Sequence, residues 1–282
     1  APSPVAASGS LGRIVTKKLI LKKWIAQRVR HGKGLLPIAP EQNTIRVLMY
    51  HSIPATDDLQ DAGQMTTPFE LFKRQMAYLS EHRFNVISCR TMTDLLANKQ
   101  PIPLRSVVIT FDDGFRNNLS TLPVLEEYGF PAMFFLSTHA LDGEADYLSW
   151  SEAERLAHSS RFSIGSHSVS HRNLKRLDEP DVRDEIFVSK QKLEERLQEP
   201  IEYFAIPFGS YGAFDGRTRR LLQSAGFVAA FSTIAGVNSH RSDLFALRRT
   251  RISWFDDMTT FPDQLSGYYD WYRWWQKMSK SL

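Results

Sequence analysis

The 282-residue chain reads as an α/β protein whose parallel strands close into a distorted (β/α)7–8 barrel. Three observations predict this. From Thr44 onward, short β-branched or aromatic runs alternate with helical stretches, the signature of a parallel sheet. The length suits one large domain, and α/β barrels of this size are common. The chemistry-bearing residues His51, Asp112, Asp113, His167 and Pro207 all fall at the C-terminal ends of strand-like runs, the rim on which such barrels carry their active sites.

The first ten residues are rich in Ala, Pro and Ser and lack an initiating Met, and they read as a processed end or an expression remnant. Leu11 to about Arg30 is expected to form a basic, partly amphipathic helix, with Leu11, Ile14, Val15, Ile25 and Val29 on a side that Lys18 and Lys22 interrupt. Leu19-Ile20-Leu21 is flanked by Lys pairs, which leaves neither a membrane span nor a secretory apolar stretch. Ile45–His51 is the first strand, and Pro68–His82 is a helix with Pro near its start. Asn85–Ser88 and Ser106–Phe111 are strands around a short helix near Thr91–Asn98. Leu119–Tyr128 is a helix stopped by Gly129. Ala132–Ser137 and Phe162–Gly165 are strands, and Asp178–Gln198 is the longest helix. Tyr203–Ile206, Val228–Thr233 and Leu247–Ser253 complete the strands. The tail, Tyr268 to Trp275, holds six aromatics in eight residues. It is expected to be a closing helix packed over the barrel, with a membrane-interface or sugar-stacking surface as the alternative.

Charge is uneven. Residues 1–40 carry eight basic residues and no acid, which leaves 27 basic against 31 acidic residues in 41–282, about −4 net. The high isoelectric point therefore belongs to the N-terminal segment, which argues against a nucleic-acid enzyme. Two domains follow: 1–40, a basic segment that is helical or membrane-contacting, and 41–282, a catalytic domain with an aromatic tail. The sole cysteine, Cys89, excludes an internal disulfide and a cysteine-rich metal site, and it reads as a buried structural thiol.

Two motifs carry the chemistry. Ser106–Phe111 runs into Asp112-Asp113-Gly114, where Gly114 lets the backbone turn so that both acids can reach one pocket in different roles. Phe162–Gly165 leads to His167-Ser168-Val169-Ser170-His171, two imidazoles four residues apart. One carboxylate and two imidazoles suit a divalent metal, with a second carboxylate left as a base.

Thr110-Phe111-Asp112-Asp113-Gly114 with this histidine spacing resembles the NodB-type polysaccharide deacetylases, carbohydrate esterase family 4, over roughly residues 45–255. The resemblance implies a distorted barrel of the NodB homology type, Asp113, His167 and His171 as metal ligands, and Asp112 as general base. The family's third motif reads Arg-x-Pro-Tyr/Phe-Gly. Here Ala205-Ile206-Pro207-Phe208-Gly209 keeps Pro207, Phe208 and Gly209, including the Phe208 backbone N–H expected at the oxyanion. Ala205 stands where the family's Arg orients the base. The family's C-terminal general-acid His is also missing from Leu247–Trp254. Arg249 or Arg251, which share a face by strand parity, is expected to fill the place beside Asp112, and Arg249 is counted with the catalytic set. His51, at the end of the first strand, is expected to act as general acid or to position substrate.

The expected function is a metal-dependent N-deacetylase that removes acetyl from N-acetylated amino sugars of a polysaccharide or oligosaccharide. The expected metal is Zn²⁺, with Co²⁺ or Ni²⁺ as alternatives. The other readings are a deacylase of a lipid-linked sugar, a non-sugar amide or imide hydrolase, and an impaired carbohydrate-binding protein. The expected partners are an N-acetylated glycan and, through residues 11–33 or 268–280, a membrane surface. A bacterial cell-envelope location, periplasmic or membrane-peripheral, is favoured over the cytoplasm.

Overall fold

A computed structural model describes residues 43–55 and 65–278. The helix expected over residues 11–30 and the membrane contact expected through 11–33 lie outside the described residues. In chain order the elements are β1 (Ile45–Tyr50), α1 (Phe69–Glu81), β2 (Asn85–Val86), α2 (Cys89–Ala97), β3 (Ser106–Phe111), α3 (Leu122–Glu127), β4 (Ala132–Leu136) and α4 (Trp150–Ala157). They continue with β5 (Phe162–Ser166), α5 (Glu179–Leu197), β6 (Tyr203–Ala205), α6 (Gly216–Ser224), β7 (Ala229–Phe231), β8 (Thr250–Arg251), α7 (Phe261–Leu265) and α8 (Tyr272–Met278).

The strands pair in parallel in the order β7-β6-β5-β4-β3-β1-β8, and β2 lies beside the start of β3. The sheet curls into a (β/α) barrel. Its two ends meet on one short segment. Leu247 bridges Phe231 of β7, and three residues later Thr250 and Arg251 pair with Leu48 and Met49 of β1. This change of partner explains why the strand expected over 247–253 shortens to two residues.

Parity then sorts the side chains. Val47, Val108, Met133, Phe135, Tyr203, Ala205, Phe231 and Leu247 pack in one apolar cluster inside the curl. Leu48, Tyr50, Ile109, Phe111, Phe134, Phe204 and Ala230 face the helices in a larger one. Both faces are covered, so β1, β3 and β4 are buried at every position and their sequences are largely apolar on both faces. The interior is tight at β5, where a Cβ on Gly165 would stand 2.5 Å from the Phe135 ring. Cys89 is buried and unpaired.

Three helices lie outside the expected set, the short α7 among them. The first is α4, which opens with a reciprocal capping box between Ser149 and Glu152. In the second, α6, Asp215 caps the backbone N–H groups of Arg217 and Thr218. The tail is held to the barrel by Arg46 on the outer face of β1. Its guanidinium pairs bidentately with Asp270 at 2.9 and 2.9 Å and also donates to Thr250 Oγ1 and the Leu265 carbonyl. Tyr268 and Tyr269 are buried, while Trp274 is 61% exposed, so only part of the tail's aromatic surface packs over the barrel.

Candidate active site

The inward parity continues past the strand ends and assembles the site. From β1 it reaches His51, from β3 Thr110 and then Asp112, from β5 His167, and from the closing segment Arg249. The Arg249 side chain is fully buried. Its Nη1 and Nη2 each donate to one oxygen of Asp112 at 2.7 Å, Nη1 also approaches Thr110 Oγ1 at 3.4 Å, and Nε donates to the Ser232 carbonyl at 2.9 Å. This planar fork fixes both the position and the rotation of the carboxylate. Burial alone would raise the Asp112 pKa; Arg249 first, then His167 and His51, reverse this and hold it below the usual carboxylate range. Arg251 takes another direction and points Nη1 at Met65 Sδ.

Asp113 leaves the parity because its backbone enters the left-handed region at φ 73°; Ser168, His171 and Phe208 do the same at φ 67°, 54° and 60°. Non-glycine residues at such angles are uncommon and cluster at functional sites. The turn brings Asp113 Oδ1 to 3.2 Å from His167 Nε2 and 3.5 Å from His171 Nε2. One ligand atom from each of the three residues lies within 4.8 Å of the others.

These residues fit a metal for a specific reason. His167 Nδ1 lies 2.8 Å from the Ala205 carbonyl. A carbonyl only accepts, so Nδ1 carries the proton, and Nε2 of the neutral ring presents a lone pair. That lone pair faces the buried Asp113 Oδ1, which has no hydrogen-bond partner. Two acceptors at 3.2 Å call for a positive charge between them. The same demand appears in the His167 pKa: burial pulls it down, yet the Asp113 and Asp112 carboxylates hold it above the ordinary value. Asp113 lies far below its usual range, the histidines outweighing burial. His171 is pushed down by burial and by His167.

The histidine loop is clamped from α5. Glu185 accepts from the backbone N–H groups of Val169 and Ser170 and from Arg172 Nε at 3.0, 2.9 and 2.9 Å, and also from Ser170 Oγ. Ser168 Oγ accepts from His171 N. Glu185 touches none of the ligand atoms, and its sequence setting, a charged residue in a helix, gives no sign of this task.

The cavity above the site has a volume of about 410 Å³ and is lined by His51, Met65, Phe208, Tyr269 and Tyr272 besides the charged groups. His51 is buried, its Nδ1 has no hydrogen-bond partner, and burial lowers its pKa despite the two aspartates. Phe208 stands exposed at the mouth and packs its ring against His171 at 4.9 Å between centroids. Gly209 is required beside it: a Cβ there would meet Thr233 N at 2.6 Å. Pro207 is buried at the turn. Tyr269 and Tyr272 bring the aromatic tail into the wall, a placement that composition alone did not reveal.

Residues 99–230 match the polysaccharide deacetylase family model. The chain carries a polysaccharide deacetylase domain of the NodB, carbohydrate esterase 4 type. YxkH of Bacillus subtilis (strain 168) is 26% identical over 208 residues, 73% of this chain and 71% of YxkH. The poly-beta-1,6-N-acetyl-D-glucosamine N-deacetylase of Escherichia coli (strain K12) is 22% identical over 141 residues, 45% of this chain and only 21% of that protein. The Streptococcus pyogenes deacetylase PplD, solved with acetate, superposes with a TM-score of 0.72 at 21% identity, covering 79% of this chain and 99% of PplD; this likeness shows a shared barrel fold. Asp112, Asp113, His167, His171 and Pro207–Gly209 lie inside the deacetylase match. His51 and Arg249 lie outside it, one on either side.

Proposed function

We propose that this deacetylase domain is a metal-dependent N-deacetylase acting on N-acetylated amino sugars of a polysaccharide or oligosaccharide. The observation that carries the reading is the side-by-side placement of two unlike carboxylates. Asp113 shares a buried, partnerless oxygen with two imidazoles, while Asp112 has both oxygens held by Arg249. A divalent cation held by Asp113, His167 and His171, Zn²⁺ first and Co²⁺ or Ni²⁺ as alternatives, would polarise the acetamide carbonyl and acidify water at neutral pH. Asp112 takes the proton of the attacking water. Its low pKa keeps it ionised and ready to accept. The Phe208 backbone N–H, presented by the Pro207–Gly209 turn, faces the developing oxyanion. The departing nitrogen receives its proton from Asp112 directly or through His51, whose buried, uncharged ring suits handing a proton on rather than storing one. Arg249 positions the base and does not touch substrate.

The relatives named for poly-β-1,6-linked N-acetylglucosamine make that linkage the first substrate to try. A location in the bacterial cell envelope is part of the same proposal, since glycans of this kind are assembled there. The test is acetate release from β-1,6- and β-1,4-linked N-acetylglucosamine oligomers, after stripping metal and adding back Zn²⁺ or Co²⁺. Release that depends on metal and disappears in Asp112→Asn is expected. No release from either series by the metal-loaded wild type would overturn the reading.

A further inference from the structure

A second cleft backs onto the wall of the catalytic cavity, with a volume of about 800 Å³. The two share chain segments and divide them by side. Ala235, Arg249 and Tyr272 line the catalytic cavity, while their neighbours Ile234, Arg248 and Arg273 line the cleft. The cleft is strongly basic. Arg219, Arg241, Arg248 and Arg273 line it, and Asp243 is its one carboxylate among the described residues. That carboxylate is taken, 3.0 Å from Arg219 Nε. No carboxylate among the described residues pairs with Arg248 or Arg273.

These two guanidinium groups converge on Gly236. A Cβ built there would lie 3.1 Å from Arg248 Cδ, 3.8 Å from Arg248 Nη1 and 3.9 Å from Arg273 Nη1. Gly236 adopts φ 137°, a conformation open to glycine, and the two like-charged groups flank the space over its bare Cα, a seat narrowed on one side by the Arg248 stem. Both side chains are half-buried, so solvent screens them less than it would free surface arginines. A side chain at this position would fill the seat; an oxyanion there would meet donors from both forks.

We propose that Arg248, Arg273 and Gly236 form a subsite for an oxyanion, a phosphate or carboxylate group carried by an anionic glycan. That the ligand is a glycan rests on the deacetylase reading; the seat itself does not. The whole 282-residue chain, loaded with metal, is titrated calorimetrically with N-acetylglucosamine 6-phosphate, trigalacturonate and neutral chitotriose. It is compared with Arg248→Gln/Arg273→Gln and with a charge-matched control, Arg155→Gln/Arg220→Gln, whose residues are exposed and lie outside the cleft. The proposal expects at least one charged probe to bind the wild type more tightly than chitotriose does. That binding weakens about tenfold or more in the cleft variant, as loss of charge-assisted hydrogen bonds implies, and stays unchanged in the control. Which charged probe responds identifies phosphate or carboxylate as the ligand. Equal binding of charged and neutral probes, or an equal loss in the control, overturns the subsite. Melting curves of both variants exclude unfolding as the cause. Because binding is read without turnover, a failed acetate assay would leave this result standing, and the reverse.

Discussion

Replacing Arg249 by Gln should affect stability, turnover and their pH dependence together. The pair it forms with Asp112 is closed to solvent on both sides, so its removal strands a buried carboxylate. Breaking a buried pair in this way costs about 3–5 kcal/mol, and the Nε bond to Ser232 is lost as well. For a chain of this size that corresponds to a fall in Tm on the order of 10 °C. The sign with pH is distinctive. In the wild type the lowered Asp112 pKa contributes stability that is present above the unfolded value and lost as pH falls through the folded one. Without Arg249, burial is no longer outweighed and lifts the carboxyl above its unfolded value. The variant should then be most destabilised at neutral and alkaline pH and should recover part of the loss on acidification. Turnover should fall about 100-fold, within the range a positioned base supplies, and the acid limb of kcat/KM should move to higher pH. Arg249→Lys keeps a charge but loses the fork, and should fall between the two. Melts of metal-stripped protein at pH 5 and pH 8 and a pH–rate profile of the metal-loaded enzyme would read this out. An equal Tm loss at both pH values with an unmoved acid limb would refute the reasoning and leave Arg249 as packing only.

Two further changes test groups that surround the centre. Glu185→Ala frees the loop that carries His171 without removing any ligand, and metal affinity should fall about 10–100-fold in a chelator competition; unchanged retention of Zn²⁺ would mean the loop holds itself. His51→Gln should retain metal and lower kcat about 10²-fold or more, with the loss smaller for substrates whose departing amine is less basic; near wild-type turnover on N-acetylglucosamine oligomers would assign proton return to Asp112 alone.

The parts of this site that can be read from the sequence are those where local chain geometry and chemistry coincide. Asp112 and Asp113 end an apolar strand beside Gly114, and His167 and His171 sit in one loop, so spacing alone brings each pair together. Strand parity even narrows the closing segment to Arg249 and Arg251. It cannot choose between them, because the choice depends on where that segment changes partner. Leu247 is still paired to β7 and Thr250 already to β1, so Arg248 and Arg249 cross the mouth of the curl between them and Arg249 turns its guanidinium inward, while Arg251 is carried past the site to Met65. Glu185 was illegible for a related reason: nothing in a helix's own pattern says that its carboxylate will meet the backbone of a loop fifteen residues earlier. The helices α4 and α6 do carry local start signals, Ser149 with Glu152 and the lone Asp215, both ordinary N-terminal caps.

Ala205 stands where the family's third motif has its arginine, and a motif comparison alone would count the base as unsupported. The barrel removes that conclusion. Ala205 and Arg249 both belong to inward positions of the curled sheet, and Arg249 reaches Asp112 from the segment on which the two ends of the sheet meet. What the proposed base requires is a guanidinium with a donor on each of its two oxygens, and here the closing segment supplies it. The alanine at 205 and the arginine at 249 are therefore best understood as one arrangement. It follows that Ala205→Arg in the wild type should be harmful, since it would place a second guanidinium inside a curl where Ala205 is already fully buried, whereas Ala205→Arg combined with Arg249→Ala should recover part of the activity lost by Arg249→Ala alone. No recovery would mean that the position on the ring matters as well as the charge.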